Sequence, residues 1–176
     1  MWNCDEKGIT MGRNGARDMA IVCVGHRGYA VTEGLREFCS VLETISAIGN
    51  VLPPFIVWQG ITHRESYYKL VDGGVRSRNG TFAVSPSGYM DNELGLEYMK
   101  HFNTHTQKQT RVLIVDGHAS YIAYPVVDYA LMQDIHVICL QSRHLLQPLD
   151  VDCFGILQKA YQYNLRKWLH LNPLAA

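Results

Sequence analysis

Arg111-Val112-Leu113-Ile114-Val115-Asp116-Gly117 is the stretch of this 176-residue chain that decides its fold. The run from Arg111 to Val115 predicts a compact buried strand, because short apolar segments rich in β-branched residues fit a sheet that is covered on both faces. Asp116 and Gly117 end the strand, since both residue types favour turns. A carboxylate therefore stands at the carboxyl end of a buried strand.

Strands and helices alternate after this stretch. Pro125 fits the first turn of a helix through Gln133, a strand follows at 135–140, and a last helix starts near Asp150. Such alternation implies parallel pairing within one sheet. Apolar residues that recur every three or four positions predict the core face of the last helix: Phe154, Leu157, Tyr161, Leu165 and Trp168.

The chain before Arg111 is predicted to form strands and then a helix. The strand candidates are 1–6, which ends in acids and is broken by Gly8, and 19–24, 38–48, 51–58 and 81–84. Gly49-Asn50 is a hairpin signal, and a short helix is possible at 65–70. Asp91 predicts the cap of a helix that continues to about Thr106. The expected fold is α/β, a mixed sheet flanked by helices.

Composition narrows the function classes. Apolar residues make up 47% of the chain, which indicates one globular domain with a substantial core. The formal net charge is zero, which argues against a chain that grips DNA tightly by itself. The five scattered cysteines have no C-x-x-C spacing and indicate neither a disulfide framework nor a zinc site. No signal peptide or membrane-spanning run is expected.

Three acids are placed to meet. Asp5 lies at the end of the first strand, Asp116 ends the strand 111–115, and Asp150 lies at the start of the last helix. Ligands of open α/β sheets gather outside the carboxyl ends of the strands, and oxygen ligands of this kind suit Mg²⁺ or Mn²⁺. Paired cations promote phosphodiester cleavage without a protein nucleophile. Purely structural roles, with Asp150 as a helix cap and Asp116 as a turn former, explain the same pattern.

Longer blocks of sequence carry a resemblance. The chain resembles the DDE superfamily endonucleases of pogo-like, mariner-type transposases, together with their domesticated CENP-B-like and Tigger-type relatives. The matching blocks, in the family's order, are Trp2–Gly8 (WNCDEKG), Ile45–Gly60 (ISAIGNVLPPFIVWQG), Ser85–Thr106 (SPSGYMDNELGLEYMKHFNTHT), Val112–Ser120 (VLIVDGHAS) and His144–Gly155 (HLLQPLDVDCFG).

This resemblance implies an RNase H-like fold over residues 1–176, without the family's N-terminal helix-turn-helix region. It places the catalytic and metal-binding triad on Asp5, Asp116 and Asp150, with Asp152 as a rival for the third acid. It further implies Mg²⁺ or Mn²⁺ as the cofactor, hydrolysis and strand transfer of DNA ends, a nuclear location and a homodimer as in transposases.

The sequence departs from the family pattern at some positions. Tyr121 stands where the family usually carries a second histidine, and the loop at 141–143 is shorter than usual. Asp152 replaces a common glycine. These departures favour the alternative hypothesis, a domesticated and non-catalytic module that binds nucleic acid or another partner.

The remaining candidates each have a structural and a functional interpretation. His118 contacts a phosphate, orients Asp116 or stabilises the turn, whereas Lys159 and Arg166, with Lys167, follow a DNA backbone or form a solvated face. His101 and His105 lie four residues apart on the predicted helix, where a solvated face is favoured over a metal site. Trp58 and Trp168 are expected in the core.

Overall fold

The fold is a single sheet flanked by helices in a computed structural model that describes residues 1–10, 37–64, 80–140 and 147–171. The strands are β1 (Trp2–Thr10), β2 (Phe38–Ser46), β3 (Phe55–Gln59), β4 (Thr81–Ser85), β5 (Arg111–Asp116) and β6 (Ile135–Leu140). The helices are α1 (Asn92–His105), α2 (Ala119–Ile122), α3 (Tyr124–Met132) and α4 (Phe154–Leu171), and a π-helical turn (Leu149–Cys153) precedes α4.

The sheet is mixed, as predicted, with strand order β4-β3-β2-β1-β5-β6. β1, β2 and β3 pair in antiparallel fashion, whereas β3–β4, β1–β5 and β5–β6 are parallel. The strand–helix alternation after Arg111 therefore produces parallel pairing, and β1 lies in the middle of the sheet. The predicted strand at 19–24, the short helix at 65–70 and the loop at 141–143 lie outside the described residues.

The predicted break of the first strand at Gly8 is wrong. β1 continues to Thr10 because it pairs with β2 along its whole length, from Trp2 opposite Ser46 to Thr10 opposite Phe38. Gly8 makes room for a ring instead of ending the strand. A Cβ atom at this position would lie 2.7 Å from Cζ of Phe38.

The segment 51–58 forms a strand only from Phe55 onward. Gly49 has a φ of 87°, as the predicted turn requires, and Val51 forms an isolated bridge with Ile45. Residues 52–54, which include Pro53 and Pro54, stay outside the strands because proline cannot donate to a ladder.

The main core lies between the sheet and the helices α1 to α3. Asp91 caps α1 as predicted, because its carboxylate accepts a hydrogen bond from the backbone N–H of Leu94 at 2.9 Å. Tyr98, Met99 and Phe102 of α1 are fully buried. The hydroxyls of Thr44 and Tyr98 lie 2.7 Å apart within this core. α1 is thereby fixed against the central strands.

The π-helical turn and the start of α4 lie against β1. The backbone N–H of Leu149 donates to Oδ1 of Asn3 at 3.4 Å, and Phe154 is buried. The rest of the predicted core face is only partly covered: Leu157, Tyr161 and Leu165 are half-buried, and Trp168 is 51% exposed. The core placement of Trp168 is therefore wrong, whereas that of Trp58 is confirmed.

Candidate active site

Parallel pairing of β1 with β5 brings the first two acids together. The register joins Trp2 to Leu113 and Asn3 to Ile114. Continued by two residues, the same register sets Asp5 beside Asp116. The amide of Asn3 strengthens this junction by donating to the carbonyl oxygen of Ile114 at 3.3 Å. Both carboxylates therefore stand where the parallel strands diverge, although β1 itself continues beyond Asp5.

The third acid reaches the same place from the π-helical turn. The carboxyl group of Asp150 lies close enough to that of Asp5 for the two groups to interact electrostatically. Asp5, Asp116 and Asp150 also line one cavity of about 560 Å³, together with Glu6 and His118. Three acids that are distant in sequence thus face one space.

The charge state of Asp5 reflects this crowding. Burial, which is the largest cause, and the negative charges of Asp150 and Asp116 together raise the pKa of the Asp5 carboxyl to about 7. The backbone N–H of Glu6 opposes this effect by donating to Oδ1 of Asp5 at 2.9 Å. A group of carboxyls held this close favours the binding of a proton or a cation, either of which relieves the repulsion.

Gln147 joins the first two acids and was not identified from the sequence. It is fully buried, and its amide is satisfied in one orientation. In that orientation the amide nitrogen donates to Oδ2 of Asp5 at 3.1 Å, and the amide oxygen accepts from the backbone N–H of Asp116 at 3.0 Å. Its place in the block 144–155 was visible in the sequence, but its contacts depend on how the chain folds back onto β1.

Glu6 is a fourth acid on the cavity wall that the sequence did not single out. It is half-buried, and burial raises the pKa of its carboxyl. Its Oε1 accepts a hydrogen bond from the backbone N–H of Met90 at 3.4 Å. Glu6 therefore connects the acidic part of the cavity to the turn that precedes α1.

His118 stabilises the turn after β5. Its backbone N–H donates to Oδ1 of Asp116 at 3.2 Å, and its Nδ1 lies 2.8 Å from Oγ of Ser120. The imidazole contact with Ser120 agrees with the turn-stabilising interpretation, whereas the contact with the Asp116 carboxylate comes from the backbone. A phosphate contact stays a prediction.

Other candidates lie away from this cavity. His101 is buried, with Nδ1 2.8 Å from Oγ1 of Thr81 and Nε2 2.9 Å from the carbonyl oxygen of Pro53, so its placement on a solvated face is wrong. Lys159 and Arg166 are exposed on α4. The side chain of Asp152, the rival third acid, lies outside what the structure describes.

Tyr121 points into the core rather than the cavity. It is 1% exposed, and its ring packs against that of Tyr98 at a centroid distance of 6.0 Å. The tyrosine that replaces the family's usual histidine therefore contributes to packing between α2 and α1. It is not among the residues that line the acidic cavity.

The carboxylate oxygens at this cavity are suitable ligands for a divalent cation, but the distances between the carboxylates suit one less well. Carboxylate oxygens are the ligands that Mg²⁺ and Mn²⁺ prefer. Yet within residues 1–10, 37–64, 80–140 and 147–171, no group of three or more His, Cys, Asp or Glu side chains is already placed to hold one ion. Asp5, Asp116 and Asp150 line the same cavity, but among the described residues their oxygens are not already arranged around one ion.

Comparisons with known proteins concern the family and the fold. A family described as DDE superfamily endonuclease matches residues 35–174. The chain aligns over 96% of its length with the crystal structure of the Mos1 strand transfer complex, with a TM-score of 0.56, 16% identity and 45% of that chain covered. A pre-cleavage Mos1 transpososome matches with a TM-score of 0.47, 17% identity, 99% of this chain and 48% of that chain. The sheet and helices are thus of the RNase H-like type found in the first of these structures.

A curated relative carries a different kind of name. A protein of Cochliobolus lunatus called "MFS-type transporter clz9" is 30% identical over 184 residues, which span 99% of this chain. The chain covers only 20% of that protein. In the described ranges, no helix combines the length and apolar character that crossing a membrane requires.

Proposed function

The chain belongs to the DDE superfamily endonucleases, and from this premise we propose that it is the catalytic core of a metal-dependent DNA endonuclease that cuts phosphodiester bonds at transposon ends. The supporting observation is the meeting of Asp5, Asp116 and Asp150 on one cavity from three separate elements. A merely structural cap or turn acid does not require this convergence.

Asp5, Asp116 and Asp150 would hold Mg²⁺ or Mn²⁺ in this proposal. The cation supplies Lewis-acid stabilisation of the charge that develops on the phosphodiester oxygens. Gln147 keeps Asp5 and Asp116 at a fixed separation through its two amide contacts. The backbone N–H of His118 holds the Asp116 carboxylate toward the cavity. A divalent cation held by these residues would offset the mutual repulsion of the three carboxylates.

DNA is the proposed partner, contacted weakly by this chain alone. His118 lies at the cavity, where its imidazole would contact a phosphate, and the exposed Lys159 and Arg166 of α4 would follow the backbone. The zero net charge of the chain predicts that these contacts need the cation or a second copy of the chain. A homodimer in the nucleus accords with such a reaction.

The test is nicking of supercoiled plasmid by the purified chain with Mg²⁺ or Mn²⁺. We expect nicking with either ion and none with EDTA. Asp116→Asn should abolish nicking because it removes one of the three carboxylates. Asp128→Asn is the matched control, since Asp128 is exposed on α3 and does not line the cavity. Equal nicking by the wild type and Asp116→Asn would refute the proposal.

A second candidate function is a non-catalytic module that keeps the fold. The observation that favours it is the absence, in the part of the chain that the structure describes, of three donors already placed around one ion. It predicts no nicking with either ion, together with retained folding and DNA association. A gel-shift assay beside the nicking assay separates the two candidates.

A further inference from the structure

Part of the cavity wall is aromatic. Phe38 and Tyr89 line it, with ring centroids 4.3 Å apart and an interplanar angle of 39°. Tyr89 is 50% exposed, so one face of the pair is covered by Phe38 while much of the tyrosine stays open. A cavity that served only to hold a cation would not need an open aromatic surface.

Two glycines make room for this pair of rings. A Cβ at Gly8 would lie 2.7 Å from a ring atom of Phe38, and a Cβ at Gly88 would lie 2.6 Å from another. Gly88 also has a φ of 76°, which other residues rarely adopt. Because neither position carries a side chain, the Phe38 ring can lie against β1 and support Tyr89.

The turn before α1 fixes Tyr89 in place. Oγ of Ser85 donates to the carbonyl oxygen of Tyr89 at 2.7 Å, and the backbone N–H of Tyr89 donates to Oγ of Ser87 at 3.2 Å. The next residue, Met90, is bound to Glu6 on the acidic side of the cavity. The aromatic surface is thus held in a constant position relative to the carboxylates.

A half-buried cation borders both parts of the cavity. Lys7 lines the cavity beside Gly8, and its Nζ lies 5.7 Å from the ring centroid of Phe154. No ion pair of Lys7 occurs among the residues described. The cavity therefore offers three kinds of surface side by side: carboxylates, an ammonium group and a preformed aromatic face.

We propose that Tyr89, backed by Phe38, is a stacking site for an unpaired nucleobase of the DNA strand whose phosphate lies at the carboxylates, with Lys7 beside a neighbouring phosphate. Every base has an aromatic face, so such a site tolerates any sequence. A single strand presents bases and phosphates next to each other, and the cavity presents an aromatic face, an ammonium group and carboxylates among its lining residues. This inference rests on the proposed function for its substrate, but its contacts do not require the cation.

The experiment compares two single-stranded 12-mers without metal, one of oligothymidine and one with the same phosphates but abasic sugars. Fluorescence anisotropy should show that the wild type binds the base-bearing strand more tightly by roughly 5- to 100-fold. Tyr89→Ala should remove this preference, and Tyr89→Trp should keep it. Tyr124→Ala is the matched control, because Tyr124 is 81% exposed at the start of α3 and does not line the cavity.

The outcomes separate this inference from the proposed function. Equal affinity of the wild type for both strands, or a preference that survives in Tyr89→Ala, overturns the stacking site, even if nicking is observed. Weak binding of both strands without preference also overturns it. A preference that depends on Tyr89 and persists in Asp116→Asn supports the stacking site, whether or not the wild type nicks plasmid DNA.

Discussion

At the scale of single residues, His101 shows how burial changes the response to pH. Burial lowers the pKa of its imidazole from 6.5 to about 4, and the contacts with Thr81 and Pro53 suit the neutral ring. The imidazole of the unfolded chain binds a proton near pH 6.5, whereas that of the folded chain binds one only near pH 4. The stability of the folded state is therefore complete above pH 6.5 and is lost as the pH falls between these values.

Replacement of this imidazole should flatten that loss. His101→Gln keeps a donor and an acceptor but does not titrate, so the free energy of unfolding should fall less between pH 6.5 and 4, by up to about 1.4 kcal/mol per pH unit. Urea unfolding at several pH values measures this slope. His63→Gln, at an exposed position, serves as the control. An unchanged slope in His101→Gln would assign the pH dependence to other groups.

The three acids could be identified from the sequence, but the residues that position them could not. Asp5, Asp116 and Asp150 were identified through the blocks in which they occur, because those blocks combine strand ends with a helix start. Gln147 and Glu6 act through contacts with β1 and with the turn before α1. Such contacts join segments far apart in the chain, so local spacing does not reveal them.

At the scale of elements, the contact of α1 with α2 depends on one small residue. A Cβ at Gly95 would lie 2.3 Å from the carbonyl oxygen of Ser120, a backbone atom that cannot rotate away. Gly95→Ala should therefore destabilise the fold by about 1–3 kcal/mol, although alanine favours helices. Chemical denaturation measures this loss.

Gly155, a second helical glycine, is expected to respond in the opposite way to Gly95. Among the residues that the structure describes, none places an atom outside the neighbouring helix backbone within 4 Å of a Cβ built at Gly155 of α4. Gly155→Ala should stabilise the protein by about 0.5–1 kcal/mol, because alanine loses less backbone entropy in a helix. If both substitutions changed stability in the same direction, the close packing of α1 on α2 would not be the cause.

The element order could be predicted from the sequence, whereas some boundaries could not. β5 and α1 were found because their apolar patterns and the Asp91 cap are local signals. β1 was predicted too short because Gly8 is a local breaker, while the ladder with β2 is a tertiary interaction. Trp168 was placed in the core because periodicity identifies an apolar face but not what covers it.

At the scale of the whole molecule, a cation should stabilise the fold by joining its separate parts. At a Mn²⁺ concentration 100-fold above its dissociation constant, the gain is about 2.7 kcal/mol, which raises the melting temperature by roughly 5 °C or more. Asp116→Asn should lose this gain. Gln147→Met should reduce it, because the separation of Asp5 and Asp116 is no longer fixed. An equal shift in all three proteins would indicate binding elsewhere.

The central position of β1 also has a consequence for the order of folding. Its parallel contact with β5 joins residues 111 positions apart, as in the bond from Asn3 to Ile114. Contacts of such long range form slowly, because a large loop of chain must close before they contribute. A nascent chain that has not yet produced β5 holds Asp5 without Asp116, so the three acids can meet only after the ribosome has also made the later segment that carries Asp150.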